Sequence, residues 1–225
     1  MNVKEVIREL KRLGDPSRVQ GMESYGIRTK TIYGVRVPDL RSLAKNIGKD
    51  HAMAIALWEE NSRETRILAS MVDDPKLVSV KQMEWWVGEF DNWEVCDQCI
   101  MNLFEKMDNA WNKALEWAER EEEFQKRAGF VMMARLAVSD KKADDDRFLQ
   151  FFPLILKHSF DDRVYVKKAI NWAVRQIGKR NSNLNAKAIE LAREVHDLHS
   201  SAARWIASDA LKELTSEKVQ QRLKS

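Results

Sequence analysis

The chain contains 225 residues, but only eight of them are glycine and four are proline. Together these turn-forming residues make up about 5% of the chain, against roughly 12% in an average protein. That shortage excludes folds built from many short strands and enzymes that cradle phosphate in glycine-rich loops. A net charge of +3, with 44% hydrophobic and 32% charged residues, is typical of a globular protein.

Apolar residues recur with helical spacing through most of the chain, and the alternation typical of strands is almost absent. An amphipathic stripe spans residues 3–10, and Pro38 begins a helix that ends at Gly48. Asp74 and Ser79 are alternative caps for a helix near 76–90. The other helices are predicted near residues 51–60, 63–72, 92–106, 109–121, 123–138, 146–158, 162–178, 185–198 and 201–214.

Short connections join most of these helices, so successive helices are expected to pack as antiparallel pairs. Four helices contain similar stretches, in which a basic residue precedes apolar ones: Arg66, Arg127, Lys168 and Arg204. The last three lie 41 and 36 residues apart, close to the period of HEAT-like repeats. The sequence therefore predicts an all-α, HEAT-like solenoid, formed as a single domain by residues 1–225, with a row of cations in a concave basic groove.

Basic residues are unevenly distributed along the chain. Residues 1–50 contain 11 Lys and Arg against 6 Asp and Glu, and residues 120–180 contain 14 against 9. The segment between them, residues 51–119, contains 6 against 14. Two basic segments that flank an acidic one can fold onto one positive face, which would suit a polyanion. The alternative is a set of ordinary solvated helix faces.

Three positions are candidates for chemistry. Asp91 is expected to cap a helix in which Trp93 lies in the first turn and Asp97 follows on the same face. An aromatic face beside a carboxylate attracts a cationic centre through cation–π and charge interactions. The other two positions are Arg127, within an apolar helix, and Trp172. Taken singly, each of these residues is more often structural than functional.

Other conspicuous residues are assigned structural roles. Cys96 and Cys99 lie one helical turn apart, but a zinc site requires two further ligands at recognisable spacing. The polar stretch 139–146 has the aspartates of a calcium loop but lacks the glycine and the closing glutamate of an EF-hand, so it is interpreted as a solvated loop. The aromatic pairs 85–86 and 151–152 are predicted to pack between repeats. We expect neither a metal site nor a cofactor.

Several motifs together resemble the AlkD-type alkylpurine DNA glycosylases, small HEAT-like proteins of DNA alkylation repair. Two of them are the Trp-x-x-x-Asp of Trp93 and Asp97 and the Gln-Lys-Arg-Ala stretch that contains Arg127. The others are Lys-Ala-Ile-Asn-Trp-Ala-Val-Arg at 168–175 and Tyr-Gly-Val-Arg-Val-Pro-Asp-Leu-Arg at 33–41. The resemblance covers nearly the whole chain in order. In one departure, Asn-Trp-Glu stands at 92–94 where the family often has Trp-Trp-Asp.

The resemblance implies a monofunctional glycosylase that releases positively charged N3- and N7-alkylpurines from DNA. Such a base is a good leaving group, so the remaining barrier is an oxocarbenium-like sugar. By resemblance, Asp97 would stabilise that sugar and orient the attacking water. Trp93 and Trp172 would flank the lesion nucleotide, and Arg127 would hold a backbone phosphate.

Tyr25, Lys168 and Arg175 complete the residues that are predicted to contact DNA. The expected partner is double-stranded DNA with alkylated bases, bound by a monomer without a cofactor and without a membrane. A cytoplasmic location is expected, because no apolar run reaches the roughly 18 residues of a membrane span. The start of the chain also shows no signal peptide, and the two cysteines suit a reducing compartment.

Two alternative functions remain open on the sequence alone. A helical-repeat protein can keep a basic groove and bind DNA structures without removing bases. It would bind DNA with a strong dependence on salt and yield no abasic product. A protein-binding scaffold, the commonest use of HEAT-like repeats, would bind DNA only weakly at physiological salt.

Overall fold

The computed structural model describes residues 1–224, which form α-helices and one short 3-10 helix without any strand. The chain divides into two compact units, residues 1–107 and a second unit that begins at Asp108. The first unit contains α1 (Val3–Leu13), α2 (Pro16–Ser24), α3 (Val37–Ile47), α4 (His51–Glu59), α5 (Arg63–Val72), α6 (Val80–Gly88), α7 (Trp93–Asn102) and the 3-10 helix (Phe104–Lys106). The second contains α8 (Ala110–Ala118), α9 (Glu123–Ser139), α10 (Asp145–Leu149), α11 (Phe152–His158), α12 (Val164–Gly178), α13 (Ser182–His196), α14 (Ser201–Leu214) and α15 (Glu217–Lys224).

The all-helical prediction is confirmed, and capping side chains decide where several helices start. Ser79 rather than Asp74 begins α6, because its side chain accepts a hydrogen bond from the backbone N–H of Gln82. The expected cap at Asp91 is wrong. Asn92 caps α7 instead, and its Oδ1 accepts bonds from two backbone N–H groups of the first turn, at 3.1 and 3.0 Å. Trp93 nevertheless lies in that turn.

Four helical features differ from the prediction. The helix predicted near 92–106 ends at Asn102 and is followed by the separate 3-10 helix. The helix α2 was not expected, because none of its residues is buried and it has no apolar stripe, although Asp15 caps it and Pro16 occupies its first position. The terminal helix α15 was missed for a similar reason, since only Val219 is buried in it. The helix predicted near 146–158 is divided into α10 and α11. The ring of Pro153 excludes a continuous helix there, because it clashes with the carbonyl four residues earlier.

The helices of each unit are arranged as in HEAT-like repeats, in which equivalent helices of successive repeats stack in parallel. In the first unit, α5 and α7 run side by side in the same direction. Arg63 contacts Glu94 near their starts, and Ser70 contacts Asn102 near their ends. In the second unit α9, α12 and α14 form a corresponding parallel set, joined by the contacts Arg127–Tyr165, Lys167–Trp205 and Lys179–Glu213. The HEAT-like fold is therefore confirmed, while the single domain and the concave basic groove remain predictions.

Each unit has its own aromatic core. Trp86 stacks on Trp58 with ring centroids 4.2 Å apart, and Phe151 stacks on Trp111 at 5.2 Å. Trp86 and Phe151 are buried, as predicted, whereas their sequence neighbours at 85 and 152 are half-buried. In the second unit the backbones of α8 and α9 approach closely at Gly129, where a Cβ atom would lie 2.3 Å from a backbone nitrogen of α8. No helix of the described residues is both long and apolar enough to cross a membrane.

Candidate functional site

Two aromatic residues meet solvent near the start of α7. The indole N–H of Trp93, the first residue of α7, donates a hydrogen bond to the carbonyl oxygen of Tyr25 at 2.9 Å. Because Tyr25 directly follows α2, this bond ties the end of α2 to the start of α7. The side chain of Tyr25 is 77% exposed and that of Trp93 is half-buried. Both rings are therefore accessible to a ligand of the first unit.

Asp97 lies one helical turn beyond Trp93, on the same face of α7. The residue is only 8% exposed. Water screens the field of a carboxylate at this depth less than that of a surface carboxylate. The Trp-x-x-x-Asp spacing thus produces the expected neighbours, a half-buried indole and a buried carboxylate. Their catalytic roles remain predictions.

A buried arginine fixes the first turn of α7. Arg63, at the start of α5, donates from Nε and Nη2 to the two carboxylate oxygens of Glu94, at 2.6 and 2.8 Å. Its Nη1 donates to the carbonyl oxygen of Val35 and to Glu64, both at 2.8 Å. Burial opposes the charge of Arg63, but the bonds to Glu94 and Glu64 outweigh it and raise the pKa of the guanidinium. Arg63 is thus held by two carboxylates, and one of them, Glu94, lies in the first turn of α7 next to Trp93.

Glu64 holds the loop between α2 and α3. Its side chain is fully buried and accepts hydrogen bonds from the backbone N–H groups of Tyr33, Gly34 and Val35, at 3.0, 3.0 and 3.2 Å. Gly34 has a φ of +78°, and a Cβ atom there would lie 2.2 Å from the carbonyl oxygen of Asp15. The loop that follows Tyr25 is therefore locked to the same helix that fixes α7.

Sequence reasoning missed Arg63, Glu64 and Glu94. Adjacent opposite charges at the start of a helix are typical of a solvated first turn, and nothing in their spacing distinguishes a buried pair. The one available signal is that α5 continues into an almost wholly apolar run, which indicates a helix buried on all sides.

The predicted row of four cations is not uniform. Arg66 is 4% exposed and donates to the backbone carbonyl and the carboxylate of Glu89, at 2.8 and 3.0 Å. Its guanidinium also lies 4.8 Å from the ring centroid of Trp58. Arg66 is therefore an internal residue of the first unit, contrary to the expectation. Lys168 and Arg204 are exposed.

Arg127 is anchored within the second unit. It is 6% exposed, and its Nη1 donates to the carbonyl oxygen of Tyr165, in the first turn of α12, at 2.6 Å. The neighbouring Lys126 is also buried, with its Nζ 3.6 Å from the carboxylate of Asp161. The structure places Arg127 beside the start of α12, and its contact with phosphate stays a prediction.

The remaining candidates share one face of α12. Lys168, Trp172 and Arg175 recur at intervals of four and three residues, which places them in one stripe. Lys168 is exposed and Trp172 is half-buried. Arg175 is paired with Glu213 of α14 and lies 3.7 Å from a second carboxylate. Lys168 is therefore the candidate of this stripe with the most accessible charge.

The candidate residues are distributed over both units. Within the first, Trp93 and Asp97 share a face of α7, and the backbone of Tyr25 is bonded to Trp93. Within the second, Arg127 contacts the start of the helix that carries Lys168, Trp172 and Arg175. Each unit thus brings its own group of predicted site residues together.

The two cysteines and the cavity of the second unit add no reactive group to the candidate residues described above. Cys96 and Cys99 are buried free thiols, and burial raises the pKa of Cys99. No group of three His, Cys, Asp or Glu that could hold a metal occurs among residues 1–224. An open cavity of about 650 Å³ lies at the ends of α9 and α12. Its Arg180 donates to the carbonyl oxygens of Ala137 and Asp140, which is a capping role at a helix end.

Comparison with known proteins gives a consistent result. A family model described as DNA alkylation repair enzyme matches residues 6–214. Two uncharacterized proteins, from Listeria innocua serovar 6a and Listeria monocytogenes serovar 1/2a, are 24% and 23% identical over 195 residues, covering 85% of each chain. A solved structure from a family related to the HEAT-like repeat DNA glycosylases, with affinity for branched DNA structures, superposes with a TM-score of 0.80 at 20% identity. It covers 99% of this chain and 96% of its own, and it supports the HEAT-like fold.

Proposed function

The chain belongs to the DNA alkylation repair enzyme family, and on that premise we propose that it is a monofunctional DNA glycosylase. Its substrates would be cationic N3- and N7-alkylpurines in duplex DNA, and its product an abasic site. The electron pair of the glycosidic C1′–N bond passes to the charged purine, which leaves as a neutral base. Water then adds to C1′ and loses a proton. Trp93 and Asp97 on one face of α7 are the observation that carries this proposal.

Asp97 is the residue suited to the charge that develops during the reaction. As the glycosidic bond breaks, positive charge moves from the purine to the sugar, which becomes oxocarbenium-like. A carboxylate that is 8% exposed stabilises such a charge more strongly than a solvated one. The same oxygen atoms can orient the attacking water. Because the base leaves without needing protonation, no general acid is required.

The other candidates would hold the nucleotide and its phosphates, and two of them, Trp93 and Trp172, belong with Asp97 to the predicted catalytic set. Trp93 and Trp172 would offer their electron-rich faces to the cationic nucleotide. Lys168 would hold a backbone phosphate, as would Arg127, whose guanidinium already lies against the start of α12. Arg175 would have to share its charge between phosphate and Glu213.

The decisive test compares Asp97→Asn with wild type on methylated duplex DNA, with released alkylpurine measured by chromatography. We expect the rate of release to fall about 100-fold, because the change removes the stabilising charge and keeps the shape of the side chain. Asp197→Asn is the matched control, since its side chain, directly after the end of α13, is 81% exposed and the activity of this variant should equal that of wild type. Undiminished release by the Asp97 variant would refute the role of the carboxylate.

A second candidate function is binding of DNA structures without base release. The structurally similar protein is described by its affinity for branched DNA, and Asn-Trp-Glu at 92–94 departs from the Trp-Trp-Asp that the resembled family often has. In that case wild type would bind DNA with strong salt dependence and release no base. Weak binding at physiological salt would instead favour a protein-binding scaffold. We further propose a cytoplasmic monomer, to be tested by cell fractionation and light scattering.

A further inference from the structure

Trp205 on α14 is the most exposed tryptophan of the described residues. It is 40% exposed, whereas Trp58, Trp86 and Trp117 are completely buried. Indole is the largest side chain available for burial, and leaving it in water forfeits much of that stabilisation. None of the residues assigned to DNA or to catalysis above accounts for its position.

Trp205 lies on the side of α14 that faces α12. The Nζ atom of Lys167, on α12, is 5.7 Å from the centroid of its ring. One and two turns further along the same side of α14, Asp209 and Glu213 contact Arg175 of α12. The ring thus stands at the seam between two parallel helices, next to the stripe that carries Lys168 and Trp172.

Lys167 contacts this ring, and two exposed cations, Lys168 and Arg204, adjoin Lys167 and Trp205 in the sequence. Lys167 and Lys168 are consecutive residues of α12, and Arg204 directly precedes Trp205 on α14. No carboxylate among residues 108–224 forms an ion pair with any of the three. The nearest acidic residue on that side of α14, Asp209, is directed to Arg175 at 3.7 Å. The surface therefore combines an accessible aromatic face with net positive charge.

This combination fits a nucleotide whose base is unpaired. Stacking of bases on aromatic side chains and binding of the flanking phosphates by cations are the two elements of single-strand recognition. In an intact duplex both faces of each base are covered by its neighbours, so an indole on a helix surface can reach only phosphates there. An overhang, gap or junction presents free base faces. A protein partner would instead need carboxylates to match the three cations.

We propose that Trp205 stacks on an unpaired nucleobase while Lys167, Lys168 and Arg204 hold the adjacent phosphates. The ammonium of Lys167 moves from the ring to a phosphate when the base enters. This inference rests on the proposed function only in that the chain must bind DNA; it does not require release of a base. It adds a second feature of the ligand, a single-stranded segment beside the duplex.

The test measures fluorescence anisotropy with three labelled DNAs: a blunt duplex, the same duplex with a short overhang, and the same duplex with an overhang of abasic residues. Wild type should prefer the overhang that carries bases. Trp205→Ala should weaken binding of that DNA about fivefold or more, and reduce it to the level of the abasic overhang. Its affinity for the blunt duplex should stay within about twofold of wild type. Trp205→Phe, which keeps an aromatic face, should retain most of the preference, and Trp205→Leu should lose it.

Two further variants separate stacking from charge and from a general surface effect. Lys168→Ala should lower the slope of log affinity against log salt, by about 0.7 for one lost contact with a single strand, and leave the preference for bases intact. Phe160→Ala removes another exposed aromatic ring of the same unit and should bind all three DNAs like wild type. Equal losses on blunt and overhanging DNA, or full retention by the leucine variant, would overturn the proposal. Base release without any overhang preference would refute this inference alone, and overhang preference without base release would refute only the glycosylase.

Discussion

The buried carboxylate of Glu64 determines how firmly the fold holds the candidate residues of the first unit. Glu64→Gln keeps the shape of the side chain but replaces one acceptor oxygen with an amide nitrogen, which can only donate. At least one backbone N–H of residues 33–35 then faces another donor, and leaving a buried donor unsatisfied costs about 1–3 kcal/mol. Arg63 also loses one of two carboxylate partners but keeps Glu94. We therefore expect the free energy of unfolding to fall by about 2 kcal/mol, less than the 3–5 kcal/mol typical of leaving a buried charge without any partner.

Urea denaturation measures this loss, and native-state hydrogen exchange locates it. The amides of residues 33–35 should exchange faster in the Glu64 variant, whereas amides in the second unit should be unchanged. Glu59→Gln is the matched control, because Glu59 is exposed at the end of α4 and its replacement should alter stability by less than about 0.5 kcal/mol. A loss below about 1 kcal/mol, together with unaltered exchange at 33–35, would show that the carboxylate does not hold this loop.

Two further changes test the packing and the charge of the second unit. Gly129→Ala should destabilise the protein by about 1–3 kcal/mol, measured as the free energy of unfolding in urea, because its Cβ atom would lie 2.3 Å from a backbone nitrogen of α8. Gly88→Ala, in α6 with open space around it, is the control and should not destabilise. Glu213→Gln should destabilise the protein at neutral pH but progressively less below pH 4.5. Burial alone would raise the pKa of Glu213, yet the bonds from Lys179 and Arg175 lower it. The stabilisation that these bonds provide is therefore lost as the carboxylate is protonated. An effect of this variant that is independent of pH would contradict that explanation.

Much of the fold was predictable from the sequence, because helix periodicity and local stop signals are properties of neighbouring residues. Ser79 and Gly48 are examples, since each acts through its own side chain or its own φ. Pro153 also indicates the break between α10 and α11, but the apolar residues on both sides of it favour one continuous helix. The helix α2 was not predictable from periodicity, because it buries no residue and is held by contacts such as the bond from Trp93 to Tyr25.

The candidate residues were partly predictable for the same reason. Trp93 and Asp97 are four residues apart in one helix, so their common face follows from helix geometry. Two partners of Arg63, Val35 and Glu94, are 28 and 31 residues away, and such distant contacts depend on how α5 packs against α7 and the loop before α3. Equivalent positions in a repeat also do not imply equivalent environments. Arg66 lies in a pocket of Trp58 and Glu89 that the later repeats do not share.

The distinction between internal and available cations decides how a HEAT-like protein presents charge to a polyanion. A guanidinium that is bonded to a carboxylate contributes little long-range field, because the pair is nearly neutral from a distance. Arg66 and Arg175 are of this kind, and their function is to join neighbouring helices. Lys168 and Arg204 are exposed and have no such partner within their unit, so a phosphate can displace only water from them. If the chain binds DNA as proposed, we expect the affinity to depend on uncompensated cations that lie beside accessible aromatic rings, such as Lys168 and Arg204, more than on the total of 38 Lys and Arg residues.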